Sequence, residues 1–255
     1  MGRTQLQQTY DRFVKILPKE NILVSTNNAY AHFVKEQLPM LSDDNLLSEP
    51  VHRNTAPSVT WAVCSVLNRC PDANLVVTPS DQAVFNEKAF ATNVVEGLDF
   101  VAGHDRIVAL GVKPTRPEPG YGYIQMGNDS DVKDIYKVKS FTEKPEREFA
   151  KMFMESNEFY WNTGVFISSA CYMRTLLYSI FSHKNDKSDL SIPNVSLKDE
   201  LNFVQDNFAA FPNISIDYAV LEKSDSVYLM VSDFGWADLG TWHGIYEALE
   251  KNEGG

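Results

Sequence analysis

"NLVVTPSDQAVFNEKAFATNVVEGLDFVAGHDRIVALG", residues 74 to 111, decides the fold. An apolar run at 74 to 79 breaks into polar residues, apolar side chains then recur at helical spacing over about 84 to 101, and a second apolar run fills 106 to 111. Strand, helix and strand in that order is the unit from which helix-wrapped parallel sheets are built. Toward the N-terminus the same reading predicts a helix over about 56–69, a strand at 45–50, a helical stretch at 29–39 and a strand at "NILVST" (21–26). Leu6, Tyr10, Phe13, Val14 and Leu17 place another helix at the start.

Toward the C-terminus the pattern changes. "GYGYIQMG" and "IYKVKSFTEKP" read as a hairpin around "NDSD", followed by a helix over 146–155 and the strand "EFYWNTGVFISS". Such a switch to antiparallel pairing suits an inserted substrate lobe. The polar, proline-containing stretch 182–196 reads as a loop between helices. The expected class is therefore α/β, with a mixed, mostly parallel sheet flanked by helices and an antiparallel lobe.

The chain has 255 residues, enough for one domain with a full core, and a net charge of −11 without any Lys/Arg run. Nucleic-acid and membrane-surface partners are excluded on charge, because both require a basic face to replace counterions. Cys64, Cys70 and Cys171 show no CxxC spacing and read as structural thiols of a cytoplasmic protein. No leader, lipidation signal or membrane-length apolar run is visible. The histidines show neither ligand spacing nor a Ser or Cys partner, so a zinc site or hydrolytic triad has no support.

In open α/β sheets ligands sit beyond the carboxyl ends of the strands. After 45–48 comes "SEPVHRNTAP", where Asn54 or Thr55 suits an N-cap with Pro57 in the first turn, while Glu49 remains a candidate reader of a guanine edge and Arg53 is left over. After 74–78, Ser80 or Asp81 suits an N-cap, or Asp81 a divalent-metal ligand. In "VSDFGWADLGTW" (231–242), Asp238 takes a similar strand-end position between Trp236 and Trp242. "GYGYI" brings glycine backbone near a ligand at Gly122. "FTEKP" offers Glu143 to sugar hydroxyls and Lys144 to a phosphate, or else a solvated ion pair. "WNTGVF" sets Asn162 and Gly164 inside an apolar strand. "DSD" (129–131) has the form of a glycosyltransferase metal motif, yet its place between two strands reads as a solvated turn.

Taken in order, "EPVHRNTAP", "VVTPSD", "GYGYI", "FTEKP", "WNTGVF", "SIDYAVLEKS" and "GWADLGTW" resemble the mannose-1-phosphate guanylyltransferases, or GDP-mannose pyrophosphorylases. The resemblance implies a Rossmann-like nucleotidyltransferase fold and one catalytic domain, with a nucleotide-binding half over about 1–111 and a sugar-phosphate-binding half over 112–255. It implies the reaction of GTP with mannose 1-phosphate to give GDP-mannose and pyrophosphate, with Mg²⁺ and in a chain that can be a homo-oligomer. Carried over, Glu49, Arg53, Asn54, Thr55 and Ala56 lie against the nucleotide, Asp81 and Asp238 hold the metal, and Gly122, Glu143 and Asn162 contact the mannose. Lys144 meets the sugar phosphate, while Asp217 and Tyr218 line the same cleft. "TPSD" followed by Gln82 departs from the family's Pro-Ala-Asp-His pattern. The family's first strand and glycine-rich triphosphate loop have no counterpart between Met1 and Asn21, and relatives continue beyond "EKNEGG". A domain lacking its first strand, with unpaired strand edges and impaired activity, is the resulting expectation. A sugar-nucleotide-binding protein without turnover and a metal-dependent glycosyltransferase are the rival classes.

Overall fold

The computed structural model describes residues 2–181 and 196–240. The first half contains α1 (Gln5–Val14), β1 (Val24–Asn27), α2 (Ala31–Gln37), β2 (Leu46–Glu49), α3 (Thr55–Arg69), β3 (Asn74–Val77), β4 (Gln82–Val84), α4 (Glu87–Val101) and β5 (Ile107–Val112). The second contains β6 (Gly122–Asp129), β7 (Ile135–Glu143), α5 (Arg147–Ser156), β8 (Phe159–Ser169), α6 (Ala170–Phe181), α7 (Leu197–Asn207), β9 (Val227–Ser232) and β10 (Trp236–Asp238). A π-helical turn spans Asp217–Leu221. The predicted loop at 182–196 lies, except for Ser196, outside the described residues, as does Trp242.

The elements start where side chains satisfy their free backbone donors. Thr4 and Gln7 form a reciprocal capping box at α1. Asn54 caps α3 and Ser196 caps α7. Neither Ser80 nor Asp81 caps α4: Gln82–Val84 pair with Trp236–Asp238 as a short strand, and Asn86 takes the cap, accepting from the Ala89 N–H at 3.0 Å.

Six strands form the main sheet in the order β3-β8-β5-β9-β7-β6. The sheet is mixed, but parallel neighbours are fewer than the alternation of elements suggests. β5 and β9 are its one parallel pair among the described strands, because β8 enters between β3 and β5 antiparallel to both. The start of β8 also pairs with β6, so β6, β7, β9, β5 and β8 close into a hydrogen-bonded ring. Ala109, Ile124 and Leu229, with Val138, Phe141 and Tyr160, fill it. Gly111 belongs there for steric reasons, since a Cβ would stand 2.3 Å from a Leu229 methyl.

All six residues of β5 are buried. Ile107 joins the cluster under α3, α6 and α7, whereas Val108, Leu110 and Val112 face Phe90, Val94 and Phe100 of α4 with Phe13 of α1. Alternate residues of one strand thus serve two helical layers. β1 and β2 form a separate parallel pair, and among the described residues β1 and β3 each have a single strand partner. The thiols differ from expectation: Cys64 is buried, but Cys70 and Cys171 are exposed, and no disulfide joins them. Burial and the Glu200 carboxylate push the Cys64 thiol up.

Candidate functional site

At the open end of the β6–β7 hairpin, Gly122 is paired with Glu143. A Cβ at 122 would meet Glu143 Oε2 at 2.5 Å and Asn162 Cβ at 3.3 Å, so a larger residue there would displace the Glu143 carboxylate and press on Asn162. Lys144 follows with φ +47°, a left-handed backbone uncommon for a residue with a Cβ, and its ammonium lies 3.7 Å from Glu143 Oε1. Asp131 sits beyond the other end of this hairpin, 75% exposed and ion-paired with Arg106, as a solvated turn residue would be.

Asn162 is aimed by a bulge. Opposite β5 the register of β8 steps from Gly111↔Asn162 to Ala109↔Phe166, so Thr163, Gly164 and Val165 face Leu110 alone. Gly164 has φ +71°, and Pro79 would be 3.0 Å from a Cβ there. The Asn162 amide is locked at both ends: it donates to Asp217 Oδ1 at 3.0 Å and accepts from the Gly164 N–H at 3.0 Å. One amide hydrogen is left for a ligand.

Asp217 opens the π-helical turn, an irregularity for which the sequence holds no signal we can name. Burial pushes its carboxyl up, opposed by hydrogen bonds from its own backbone, Asn162 and Ser215 and by the Lys144 charge. Burial also pushes up Glu143, with the Asp217 charge adding and Lys144 opposing, and it raises Glu222, again with help from Asp217. Such a cluster suits hydroxyl donors better than a bare anion, and Lys144 is the cation at its rim. Tyr218 is exposed beside it.

The residues expected along the nucleotide are used differently. Glu49 is buried, and its Oε1 accepts from the Ser25 and Ser58 hydroxyls. Arg53 turns to the Ala209 carbonyl. Ala56 is fully buried with its N–H bonded to the Ile214 carbonyl, and Thr55 Oγ1 accepts from the Ile216 N–H at 2.8 Å. Glu49 thus ties β2 to Ser25 of β1 and Ser58 of α3, Arg53 reaches the turn at Phe208–Ala210, and Thr55 and Ala56 hold the segment leading into Asp217. These partners lie up to 161 residues away in sequence. Asn54 stays half-exposed with φ 64° and ψ −168°, a conformation of stored strain.

Asp81 and Asp238 meet through the β4–β10 pair, where Asp238 lies opposite Gln82 and hence one residue from Asp81. Asp81 is exposed and Asp238 half-buried, with its Oδ1 accepting from the Gly240 N–H at 2.8 Å. No cluster of three or more His, Cys, Asp or Glu suited to a metal occurs among the described residues. Trp236 packs rather than lines the cleft, with ring centroids 5.2 Å from Tyr121 and 6.3 Å from Trp161. Among the described residues no helix is long and apolar enough to cross a membrane.

A family model described as nucleotidyl transferase matches residues 4–254. The chain is similar to a mannose-1-phosphate guanylyltransferase of Escherichia coli, 32% identical over 99% of this chain and 56% of the relative. A protein of the same name from Sinorhizobium fredii is 34% identical over 91% of this chain and 46% of its own length. The chain thus spans about half the length of the curated relatives it matches. Among solved structures, one described as mannose-1-phosphate geranyltransferase from Thermus thermophilus superimposes with a TM-score of 0.81 at 28% identity, covering 98% of this chain and 70% of that one.

Proposed function

This chain belongs to the nucleotidyl transferase family, and from that premise we propose that it is a catalytic domain making GDP-mannose and pyrophosphate from GTP and mannose 1-phosphate. The observation that carries the reading is the convergence of Glu143, Lys144, Asn162 and Asp217 at one end of the ring of strands, beside the β4–β10 corner. The relatives' names supply the sugar and the base.

Gly122, Glu143 and Asn162 receive the mannose. Glu143 accepts from its hydroxyls, and the free Asn162 amide hydrogen donates to one. Asp217 holds the amide in that orientation, with Tyr218 at the mouth. Lys144 neutralises the sugar phosphate as a point charge. Asn54, at the strained start of α3, lies against the nucleotide, with Glu49, Arg53, Thr55 and Ala56 around it. Two carboxylates at one end of a strand pair, Asp238 on β10 and Asp81 just before β4, suit Mg²⁺, which commonly completes its octahedron with water and substrate phosphates. Asp81 and Asp238 would hold it, and it would supply charge neutralisation at the α-phosphate.

A phosphate oxygen of mannose 1-phosphate attacks the α-phosphorus of GTP in line, a new P–O bond forms, and pyrophosphate leaves with the electrons of the broken one. The attacking oxygen is already ionised near neutral pH, so no general base or covalent enzyme intermediate is needed. The chain's contribution is positioning and charge. The cytoplasm is the proposed compartment, in keeping with three free cysteines. The test is incubation of the full chain with GTP, mannose 1-phosphate and Mg²⁺. GDP-mannose and pyrophosphate should appear in equal amounts, and their absence together with no binding of GDP-mannose would overturn the proposal.

A further inference from the structure

Gln82 is buried between the two halves of the site, and its carboxamide is used at both ends. Its Oε1 accepts from the Trp236 indole N–H at 3.0 Å, and its Nε2 donates to the Thr163 carbonyl at 2.6 Å. The orientation is dictated by chemistry, because an indole N–H only donates and a carbonyl only accepts. Each contact crosses between elements that carry site residues. Trp236 is two residues from Asp238 on β10, Gln82 opens β4 directly after Asp81, and Thr163 follows Asn162 at the start of the bulge of β8. Thr163 is itself fixed, fully buried with its hydroxyl donating to the Leu110 carbonyl at 2.8 Å.

The β4–β10 pair needs such a tie. It is a two-stranded patch of three residues each, hydrogen-bonded as a strand to neither the main sheet nor β1–β2. Two-stranded pieces of this size are marginal by themselves. We propose that Gln82 is a positioning residue: by bridging the Trp236 indole and the Thr163 carbonyl, it sets the corner bearing Asp81 and Asp238 at a fixed place against the strand bearing Asn162. The inference deepens the proposed function and rests on it for the roles of Asp81, Asp238 and Asn162. The bridge itself is independent of those roles.

No other neutral side chain of this length offers a donor and an acceptor on one planar end. Gln82→Met removes both bonds at similar volume, Gln82→Glu keeps the acceptor but sets an oxygen against the Thr163 carbonyl, and Trp236→Phe removes the indole donor and trims the ring packed on Tyr121 and Trp161, leaving the Gln82–Thr163 bond. Backbone hydrogen exchange is measured on the full-length chain in peptides covering 78–86 and 233–240, with 105–113 as control. GDP-mannose affinity is measured by calorimetry with Mg²⁺ and with EDTA. In Gln82→Met we expect exchange at the corner to rise about tenfold with β5 unchanged, and the Mg²⁺-dependent gain in affinity to fall about tenfold while metal-free affinity changes less than twofold. Trp236→Phe should behave alike, and the double variant should be no worse than either.

Unchanged corner exchange in Gln82→Met overturns the inference whether or not the chain binds GDP-mannose. Raised exchange with an intact Mg²⁺-dependent gain also overturns it, since the corner would then be tied without being positioned. If the parent chain shows no Mg²⁺-dependent gain, the metal assignment fails and exchange alone decides the bridge. Should Gln82→Met not fold, Gln82→Glu and Trp236→Phe carry the same comparison.

Discussion

Replacing Gly122 with alanine separates the placement of Glu143 from the stability of the strand beneath it. The new Cβ would stand 2.5 Å from Oε2 of Glu143, where ordinary contact begins near 3.4 Å, so the carboxylate must retreat by about 0.9 Å. It is the free end of a flexible side chain and retreats by rotation, at a cost of about 0.5–1.5 kcal/mol. Alanine offsets about 0.4–1 kcal/mol of this by restricting the unfolded chain more than glycine does. Stability should therefore stay within about 1 kcal/mol of the parent. A hydroxyl-to-carboxylate hydrogen bond contributes about 1.5–3 kcal/mol, so losing it should weaken mannose 1-phosphate binding roughly 10- to 150-fold. Calorimetric titration reports the affinity and urea unfolding the stability. In a Glu143→Ala background the same replacement should cost several-fold less affinity, because only the 3.3 Å approach to Asn162 Cβ remains. Parent-like binding by a folded Gly122→Ala chain, or an equal loss in both backgrounds, refutes the placement of Glu143.

Three further outcomes are expected. Asp238→Asn should fold normally yet lose the dependence of GDP-mannose binding on Mg²⁺, whereas an unchanged Mg²⁺ titration would remove Asp238 from the metal shell. Arg174→Met leaves the fully buried Glu200 without the guanidinium that meets it at 2.7 and 2.6 Å, and should lower the unfolding free energy by about 3–5 kcal/mol; a urea-measured loss under 1 kcal/mol contradicts this. Glu143, Asp217 and Glu222 hold their protons more tightly when folded, chiefly through burial. Their contribution therefore favours folding fully below about pH 4 and is lost as pH rises through the raised values. As pH rises from 4.5 to 7 the unfolding free energy should fall less in a chain carrying Glu143→Gln and Asp217→Asn than in the parent, and an identical slope in the two proteins would count against the raised carboxyls.

The succession of elements was legible wherever hydrophobic period and length agreed. α3 and β5 begin within a residue of their predicted starts because Asn54 and the all-apolar "IVALGV" are local signals. The start of α4 was misplaced by three residues, since Gln82–Val84 become a strand only when β10, some 150 residues later, lies beside them. Pairing direction was equally out of reach, because the insertion of β8 between β3 and β5 follows from contacts that no local period encodes. Within the site, Glu143 and Lys144 stood out as charged groups at a strand end and Asn162 as an amide inside an apolar strand, and the fold brings them together. The hydrogen bonds of Arg53, Thr55 and Ala56 to the chain around Ala209 and Ile214–Ile216 had no local signal, because those partners lie more than 150 residues away. Asp217 was placed in the cleft by resemblance alone, since neither its π-helical turn nor its bond to Asn162 leaves a mark on its own stretch of sequence.

The closed ring of strands also constrains how the protein can be born. Ile107 pairs with Val227, which lies 120 residues further along the chain. β5, buried on every side in the finished molecule, must therefore wait for β9 to leave the ribosome before its second neighbour exists. At usual synthesis speeds that interval is on the order of ten seconds. Throughout it, one edge of the most apolar strand stays open to wrong partners. The ring that is closed in the finished fold is thus open in the nascent chain, and mutations that slow the docking of β9 should reduce yield before they touch activity.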